Sequence, residues 1–222
     1  MPKNIDRLAV PETEMKMALA IEAGEENVTG LIGASARSQL RRHPERARPE
    51  LAEAILLAGR VAHVAFQLDG QPYVLPLTYD YDAGTIYLHG APASRTLRAL
   101  RAGIPICIEV TQLDGLVASR DAKSHSMNYR SVIVFGRAAP VADEAEKRRV
   151  FERLTARYFP GRTAGVDYLP ARQGDLRAVE LLAVRIEELS AKARSGPALG
   201  TRDDAEESAY SRYVVMLPGL DA

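Results

Sequence analysis

Short runs of β-branched and aromatic residues, separated by turn residues, dominate the chain between residues 61 and 187. Such runs favour β-strands, and a parallel arrangement would need a helix between nearly every pair of them. Helical stretches are too few for that, so the pattern predicts a mainly β (α+β) fold in which an antiparallel sheet forms a barrel with a few short flanking helices. The six predicted strands cover residues 61–67, 73–79, 85–89, 104–113, 129–139 and 179–187.

Turn and capping residues place the connections between these strands. Asp69-Gly70 is typical of a tight hairpin turn, and a second turn is expected at 80–84. A glycine just after a helix often adopts a left-handed conformation, which predicts that role for Gly59. Helices are predicted over residues 49–58, 94–103 and 143–160.

The two ends of the chain differ from its strand-rich middle. Residues 1–36 show no firm periodic pattern, and residues 198–222 include an acidic segment typical of a surface or linker. The sequence therefore predicts an N-terminal extension over 1–36, one domain over 37–197, and a tail over 198–222 that packs on or near that domain.

Composition excludes several classes of protein. The 29 basic and 29 acidic side chains cancel, so no global field attracts nucleic acid or an anionic membrane. The single cysteine, Cys107, cannot form a disulfide within the chain, which favours a cytoplasmic location. The four histidines are scattered without ligand spacing, so no metal site is expected.

An arginine-rich segment covers residues 37–48, with five arginines and one histidine against the single acid Glu45. Such a segment either binds an anion or lies solvated on the surface, and surface segments are the commoner case. The sequence leaves both interpretations open.

The most specific candidate for a binding site in the middle of the chain is a site for a phosphate group. A predicted strand ends at His89, a turn of small residues follows, and Ser94-Arg95-Thr96 begins a helix. Hydroxyl groups, a guanidinium and the unpaired N–H groups of a helix start suit a phosphate. By itself this string is more often only a capped helix with a surface arginine.

A family resemblance adds weight to that site. Residues 63–110, HVAFQLDGQPYVLPLTYDYDAGTIYLHGAPASRTLRALRAGIPICIEV, are followed by HSMNYRSVIVFGRA at 125–138 and VRIEELSAKARSGP at 184–197. In this order the motifs resemble the flavin-nucleotide-binding and nitroimidazole-resistance-like branch of the pyridoxamine 5′-phosphate oxidase-like superfamily. The resemblance covers roughly residues 40–197.

The resemblance implies a six-stranded split barrel that binds FMN at the interface of a homodimer. It implies that one strand runs along the flavin ring, that the next strand ends beside it, and that the following helix start holds the phosphate. A later strand, which contains Tyr129 and Ser131, would complete the pocket from the other subunit, and Lys192 could meet an anionic group. The residues carried over in this way are Tyr73, Leu75, Pro76, Leu77, Thr78, Leu88, His89, Ser94, Arg95, Thr96, Tyr129, Ser131 and Lys192.

The chain also departs from the vitamin B6 oxidases that give this superfamily its name. It contains no tryptophan, and its segment SAKARSGP has Lys192 and Arg194 where those oxidases have an Arg-x-His motif. We therefore expect an FMN-dependent oxidoreductase that passes electrons from a small-molecule donor to a small acceptor. No catalytic residue is assigned, because the flavin itself carries such chemistry. The alternatives are a non-catalytic flavin-binding or redox-sensing protein, or a haem- or deazaflavin-binding relative.

Overall fold

The computed structural model describes residues 35–119 and 121–198, together with the backbone of Val214–Val215. The predicted N-terminal extension, apart from its last two residues, and nearly all of the predicted tail lie outside the described residues. The remaining chain corresponds to the predicted domain.

An antiparallel sheet of eight strands forms the described part of the chain. The strands are β1 Ala62–Leu68, β2 Gln71–Leu77, β3 Tyr79–Asp82, β4 Thr85–Gly90, β5 Pro105–Val117, β6 Ser126–Pro140, β7 Glu180–Arg194 and β8 Val214–Val215. Their order in the sheet is β2-β1-β5-β6-β7-β4-β3, with the two-residue β8 paired to β5. This mainly β architecture with short helices confirms the predicted fold class.

The predicted number of six strands is wrong, because the sheet path has seven and β8 adds an eighth. The sequence analysis assigned residues 73–79 to one strand and 80–84 to a turn. In the structure β2 pairs only with β1, the chain passes through Thr78, and β3 then pairs with β4 at the opposite end of the path. Backbone pairing therefore does not close the sheet, whose two ends are joined by the chain at Thr78.

The missed strand β3 contains two aspartates, a composition more typical of turns. Asp80 is 3% exposed, and its carboxylate pairs with Arg153 at 2.7 Å, so its charge is satisfied from outside the strand. Tertiary pairing therefore overrides the local preference. Burial outweighs the effect of Arg153 and raises the pKa of Asp80 above its ordinary value.

Among the described residues four α-helices flank the sheet: α1 Ala52–Ala58, α2 Arg95–Arg101, α3 Glu144–Tyr158 and α4 Gln173–Ala178. Ser94 caps α2, where its hydroxyl accepts from the Leu97 N–H, and Asp143 caps α3 by accepting from the N–H groups of Ala145 and Glu146. These two helices and α1 confirm the predicted ones, whereas α4 was not predicted.

Two glycine predictions have different outcomes. Asp69 and Gly70 have φ values of 51° and 79°, which confirms the tight hairpin turn between β1 and β2. Gly59, predicted to be left-handed, instead has φ −62° and ψ 150°. A Cβ there would lie 2.3 Å from Val110 Cγ1, so close packing of α1 against β5 explains the glycine.

Helix α3 is fixed to the sheet by polar contacts near its C-terminal end. The Tyr158 hydroxyl accepts from the backbone N–H of Tyr79 at 3.0 Å and lies 2.8 Å from the Arg60 carbonyl. The Arg157 guanidinium donates to the Leu56 carbonyl at 2.7 Å and lies over the Tyr79 ring. These contacts hold α3 beside the junction of β2 and β3, where a cavity is formed.

No helix among the described residues is long and apolar enough to cross a membrane.

Candidate functional site

Strand β2 presents two different faces. Tyr73, Leu75 and Leu77 are half-buried and pack against the main core, while the intervening Val74 and Pro76 are exposed. This alternation follows from the two-residue repeat of a strand. The five residues of this segment that were predicted to line a flat ring, Tyr73, Leu75, Pro76, Leu77 and Thr78, therefore do not share one surface. Val74 is 64% exposed.

Arg95 lies against this strand from the start of α2. Its guanidinium carbon is 4.6 Å from the centre of the Tyr73 ring, and Tyr73 stacks on Phe66 at 5.4 Å. Among the described residues Arg95 makes no ion pair with an acid. An exposed guanidinium held over an aromatic face, with the first N–H groups of a helix beside it, can receive an anionic group. We call the surface formed by Tyr73 and Arg95 the Tyr73 face.

Ser94 and Thr96 flank Arg95 with different roles. Ser94 is half-buried, and its hydroxyl already caps α2 through Leu97. Thr96 is only 7% exposed and packs into the fold. Of the predicted phosphate-binding side chains, Arg95 is thus the one that the structure leaves open to solvent.

A cavity of about 440 Å³ lies on the other side of the β2–β3 junction. Thr78 and His89 form its wall on the sheet, and Phe151, Thr155 and Tyr158 of α3 form the opposite wall. The loop after α3 covers it with apolar residues that include Leu169. We call this space the His89 cavity. It brings together two predicted site residues, but Arg95 and Tyr73 are not part of its lining.

The His89 imidazole is held in an apolar environment. Its ring contacts Phe151 edge to face, with ring centres 5.6 Å apart. Nδ1 is buried and has no hydrogen-bond partner among the described residues. Burial lowers the pKa of His89 below its ordinary value, so the ring is neutral at neutral pH. Because Nδ1 is inaccessible, a ligand in the cavity would have to be bound through Nε2 of the neutral imidazole.

Leu88 precedes His89 but has no accessible side chain. It is fully buried in the main core, and β4 pairs it with Tyr79 on one side and Leu182 on the other. Only its neighbour His89 reaches the cavity.

The remaining predicted residues form a third group on β6 and β7. Ser131 pairs with Lys192, and its hydroxyl lies 3.5 Å from the Lys192 carbonyl, while Tyr129 pairs with Arg194. Strand register places Tyr73 level with Gly136 of β6, through Phe66 and Ile106. Tyr129 is seven residues from Gly136, so it lies about 23 Å further along the strand direction. Within one chain this group does not meet the Tyr73 face.

The α3 side of the cavity was not identified from the sequence. Phe151 and Leu154 were interpreted as core residues of an amphipathic helix, and Leu154 is indeed 7% exposed. Helical spacing alone cannot show that the partner surface is partly empty. Within the described chain no group of three or more His, Cys, Asp or Glu side chains could hold a metal ion.

Comparisons with known proteins agree with this architecture. The flavocytochrome Anf3 from Azotobacter vinelandii is 32% identical, with a TM-score of 0.71 over 86% of this chain and 91% of that one. The FAD and haem binding protein from Mycobacterium smegmatis is 30% identical, with a TM-score of 0.66 over 80% of this chain and 89% of that one.

A more distant structure shows the fold alone. A 5-nitroimidazole antibiotic resistance protein from Bacteroides thetaiotaomicron is 24% identical, with a TM-score of 0.53 over 65% of this chain and 82% of that one. A comparison with curated protein sequences finds no significant match.

The fold and these neighbours define the class as split-barrel proteins. The family model described as pyridoxamine 5′-phosphate oxidase matches residues 48–193, most of the chain. The chain therefore belongs to the pyridoxamine 5′-phosphate oxidase-like family, as its motifs indicated.

Proposed function

We propose that this protein binds FMN at the Tyr73 face and serves as a flavin-dependent oxidoreductase. The observation that carries the proposal is the Arg95 guanidinium, which lies over the Tyr73 ring without an acid partner among the described residues. Family membership and the two relatives at 30% identity or more, whose names include a flavin or FAD, support a flavin ligand.

The residues present fit this cofactor. Arg95 would bind the phosphate through charge-assisted hydrogen bonds, and the half-buried Tyr73 and Leu75, on the same side of β2, would contact the apolar ring. The flavin, when bound, supplies the electron-transfer chemistry. The protein's own contribution is to orient the ring along β2 and to exclude water from one of its faces. The absence of tryptophan, and of an Arg-x-His motif in the segment SAKARSGP, argues against vitamin B6 oxidation.

We further propose that two copies of the chain complete each site. A face this open covers only part of a flavin, and Tyr129, Ser131 and Lys192 are too distant to cover the rest within one chain. Exposed apolar side chains lie at both places that would meet. Val74 is on β2, while Leu116, 37% exposed, and Met127, 48% exposed, pair with each other on β5 and β6. Two-fold symmetry would produce two equivalent sites.

Purification without added flavin tests the proposal. We expect a yellow protein that releases FMN on heating, identified by chromatography against FMN and FAD standards. A colourless protein that takes up neither flavin would refute the assignment. Stopped-flow reduction by nicotinamide donors, followed by acceptor turnover, separates the oxidoreductase from a non-catalytic or redox-sensing flavoprotein. Only the former is reduced and reoxidised rapidly.

Substitution at the apolar contact tests the dimer. Met127→Glu is expected to lower both the dimer population in sedimentation experiments and the FMN content. Val166→Glu, at an 81% exposed position after α3, is the matched control and should change neither. A monomer that retains FMN would contradict the shared site.

A flavocytochrome is a second candidate function, favoured by the His89 cavity. The neutral His89 side chain would bind the iron of a haem, and Phe151 and Leu169 would contact the haem's apolar surface. Both relatives at 30% identity or more have names that include haem or cytochrome. Titration of the purified protein with haemin should give a saturable shift of the Soret band that His89→Ala removes. His125→Ala, in an exposed loop, should retain it. Equal spectra for both variants would exclude His89 as the ligand.

A further inference from the structure

A second, basic pocket of about 240 Å³ lies where the arginine-rich segment crosses the end of β7. Arg46, Arg48 and Arg194 line it, and Glu45 is the single acid in the lining. Three guanidinium groups around one carboxylate leave a local excess of positive charge in a chain whose net charge is zero. Such an excess attracts an anion.

Arg194 is the unusual member of this group. It is only 9% exposed, and its guanidinium donates to Asn128 Oδ1 and to the carbonyls of Gly196 and Pro197. Neutral oxygens are thus its hydrogen-bond partners, and no acid pairs with it among the described residues. Burial, followed by the charge of Arg46, lowers the pKa of Arg194. Buried charges are normally paired, so this one lacks a counter-ion.

The other two arginines are held in place by the local backbone. Residues Pro44–Arg46 form a short 3-10 helix, and the Arg48 N–H donates to the Ala191 carbonyl of β7 at 3.0 Å. Arg46 is 25% exposed at its side chain, and its ion-pair contact among the described residues is Glu45 at 3.9 Å. This distance is too long for a hydrogen bond. Its guanidinium is therefore available to a ligand.

Strand register connects this pocket to the third group of predicted site residues. Arg194 is opposite Tyr129, and Lys192 is two positions earlier on β7. In the dimer proposed above, this part of the sheet completes the flavin site of the other subunit. This step depends on the proposed function. An anion in the pocket would then lie close to the flavin of the partner subunit.

We propose that the pocket lined by Arg46, Arg48 and Arg194 binds the phosphates of a nucleoside diphosphate group next to the flavin. Two molecules carry this chemistry: FAD, through its adenosine half, and a nicotinamide dinucleotide that donates electrons. Guanidinium groups recognise phosphate oxygens through paired hydrogen bonds, which suits this arrangement.

Calorimetric titration with ADP tests the site on the full chain after loading with FMN, which lacks the adenosine half. We expect saturable binding that weakens at least tenfold in Arg46→Ala. Arg42→Ala, at an exposed position in the same segment, is the matched control and should bind as the wild type does. Arg46 is chosen because Arg194→Ala would leave the Gly196 and Pro197 carbonyls without their donor and could unfold the chain end.

Two further measurements distinguish the sources of the phosphates. If FAD is the ligand, the wild type binds FAD more tightly than FMN, and Arg46→Ala removes that preference. If a nicotinamide dinucleotide is the ligand, Arg46→Ala raises the KM for the donor and leaves flavin affinity unchanged.

The inference fails if ADP does not bind, or if Arg46→Ala and Arg42→Ala bind it equally well. Failure of the flavin proposal is separate, because a protein that takes up no flavin but binds ADP in an Arg46-dependent manner would retain the phosphate site. That titration then uses the protein as purified.

Discussion

The Tyr73 face and the His89 cavity lie on either side of the same chain segment but differ in their exposure and in their charge. The face is open, and the positive charge on Arg95 has no acid partner in the part of the chain that the structure describes. The cavity is lined mainly by apolar side chains, is partly open to solvent, and contains a neutral histidine. A charge in water can hold a phosphate, whereas a neutral imidazole in an apolar space suits a metal-bearing or aromatic ligand. The two proposed ligands would thus occupy separate regions of one sheet without competition between them.

Filling the cavity should have the largest effect, because it should weaken binding in the cavity and leave binding at the Tyr73 face unchanged. Thr155→Trp places an indole in the space facing His89, so we expect haem binding to fall by more than about 100-fold, while FMN content is unchanged. Thr155→Val is the control, because it removes the hydroxyl without filling the space. Parallel loss of FMN would show that the two regions form one site.

Removal of the Arg95 charge should have the next largest effect. Arg95→Ala is expected to weaken FMN binding by about 1.5 to 3 kcal/mol, the range for a charge-assisted hydrogen bond. Fluorescence titration of the apoprotein measures this loss. Arg98→Ala, three residues later on the exposed side of α2, should bind FMN normally. Equal affinities for the two variants would mean that Arg95 does not hold the phosphate.

Tyr158→Phe should affect stability rather than charge recognition. The loss of the hydroxyl leaves the Tyr79 N–H without this acceptor at 3.0 Å, and we expect a cost of about 1 to 3 kcal/mol in the free energy of unfolding. Tyr168→Phe, in the lining of the same cavity, is the matched control. Chemical denaturation of both variants tests whether α3 is anchored through this contact.

The smallest expected effect is on the pH dependence of the protein's stability. Burial lowers the pKa of folded His89, so the unfolded chain binds a proton more readily than the folded one. The stability that this histidine contributes is present above the unfolded pKa of about 6.5 and is lost as the pH falls from there through the folded pKa. His89→Leu should therefore flatten the dependence of stability on pH below about 6.5. An unchanged dependence would show that the ring is not buried as described.

The sequence was most informative where one residue type serves one local purpose. Asp69-Gly70 marked a hairpin, and Ser94 and Asp143 marked helix starts, because turns and caps depend on nearby backbone geometry. Strand β3 was missed because a contact with Arg153, 73 residues away, stabilises Asp80. Local patterns contain no information about such distant partners.

The sequence predicted which residues belong to the candidate site better than it predicted how they are arranged. The motifs indicated Tyr73, His89 and Arg95, but not that the chain junction separates His89 from the other two. The sequence analysis left two interpretations of the arginine-rich segment open, and in the structure its arginines have different surroundings. Arg37 pairs with Glu188 at 2.7 Å, whereas Arg46 lines a pocket. Whether an arginine finds an acid depends on how the chain folds back.

Because the chain passes directly from β2 to β3 through Thr78, this segment borders both the Tyr73 face and the His89 cavity. Leu77 packs on the side of the Tyr73 face and the core, and the very next residue borders the cavity. Tyr73 and Thr78 are five residues apart, about 17 Å along an extended strand, so one short segment would contact both ligands. A substitution that shifts this segment would disturb both regions, whereas Thr155 belongs to the α3 wall and alters the cavity alone.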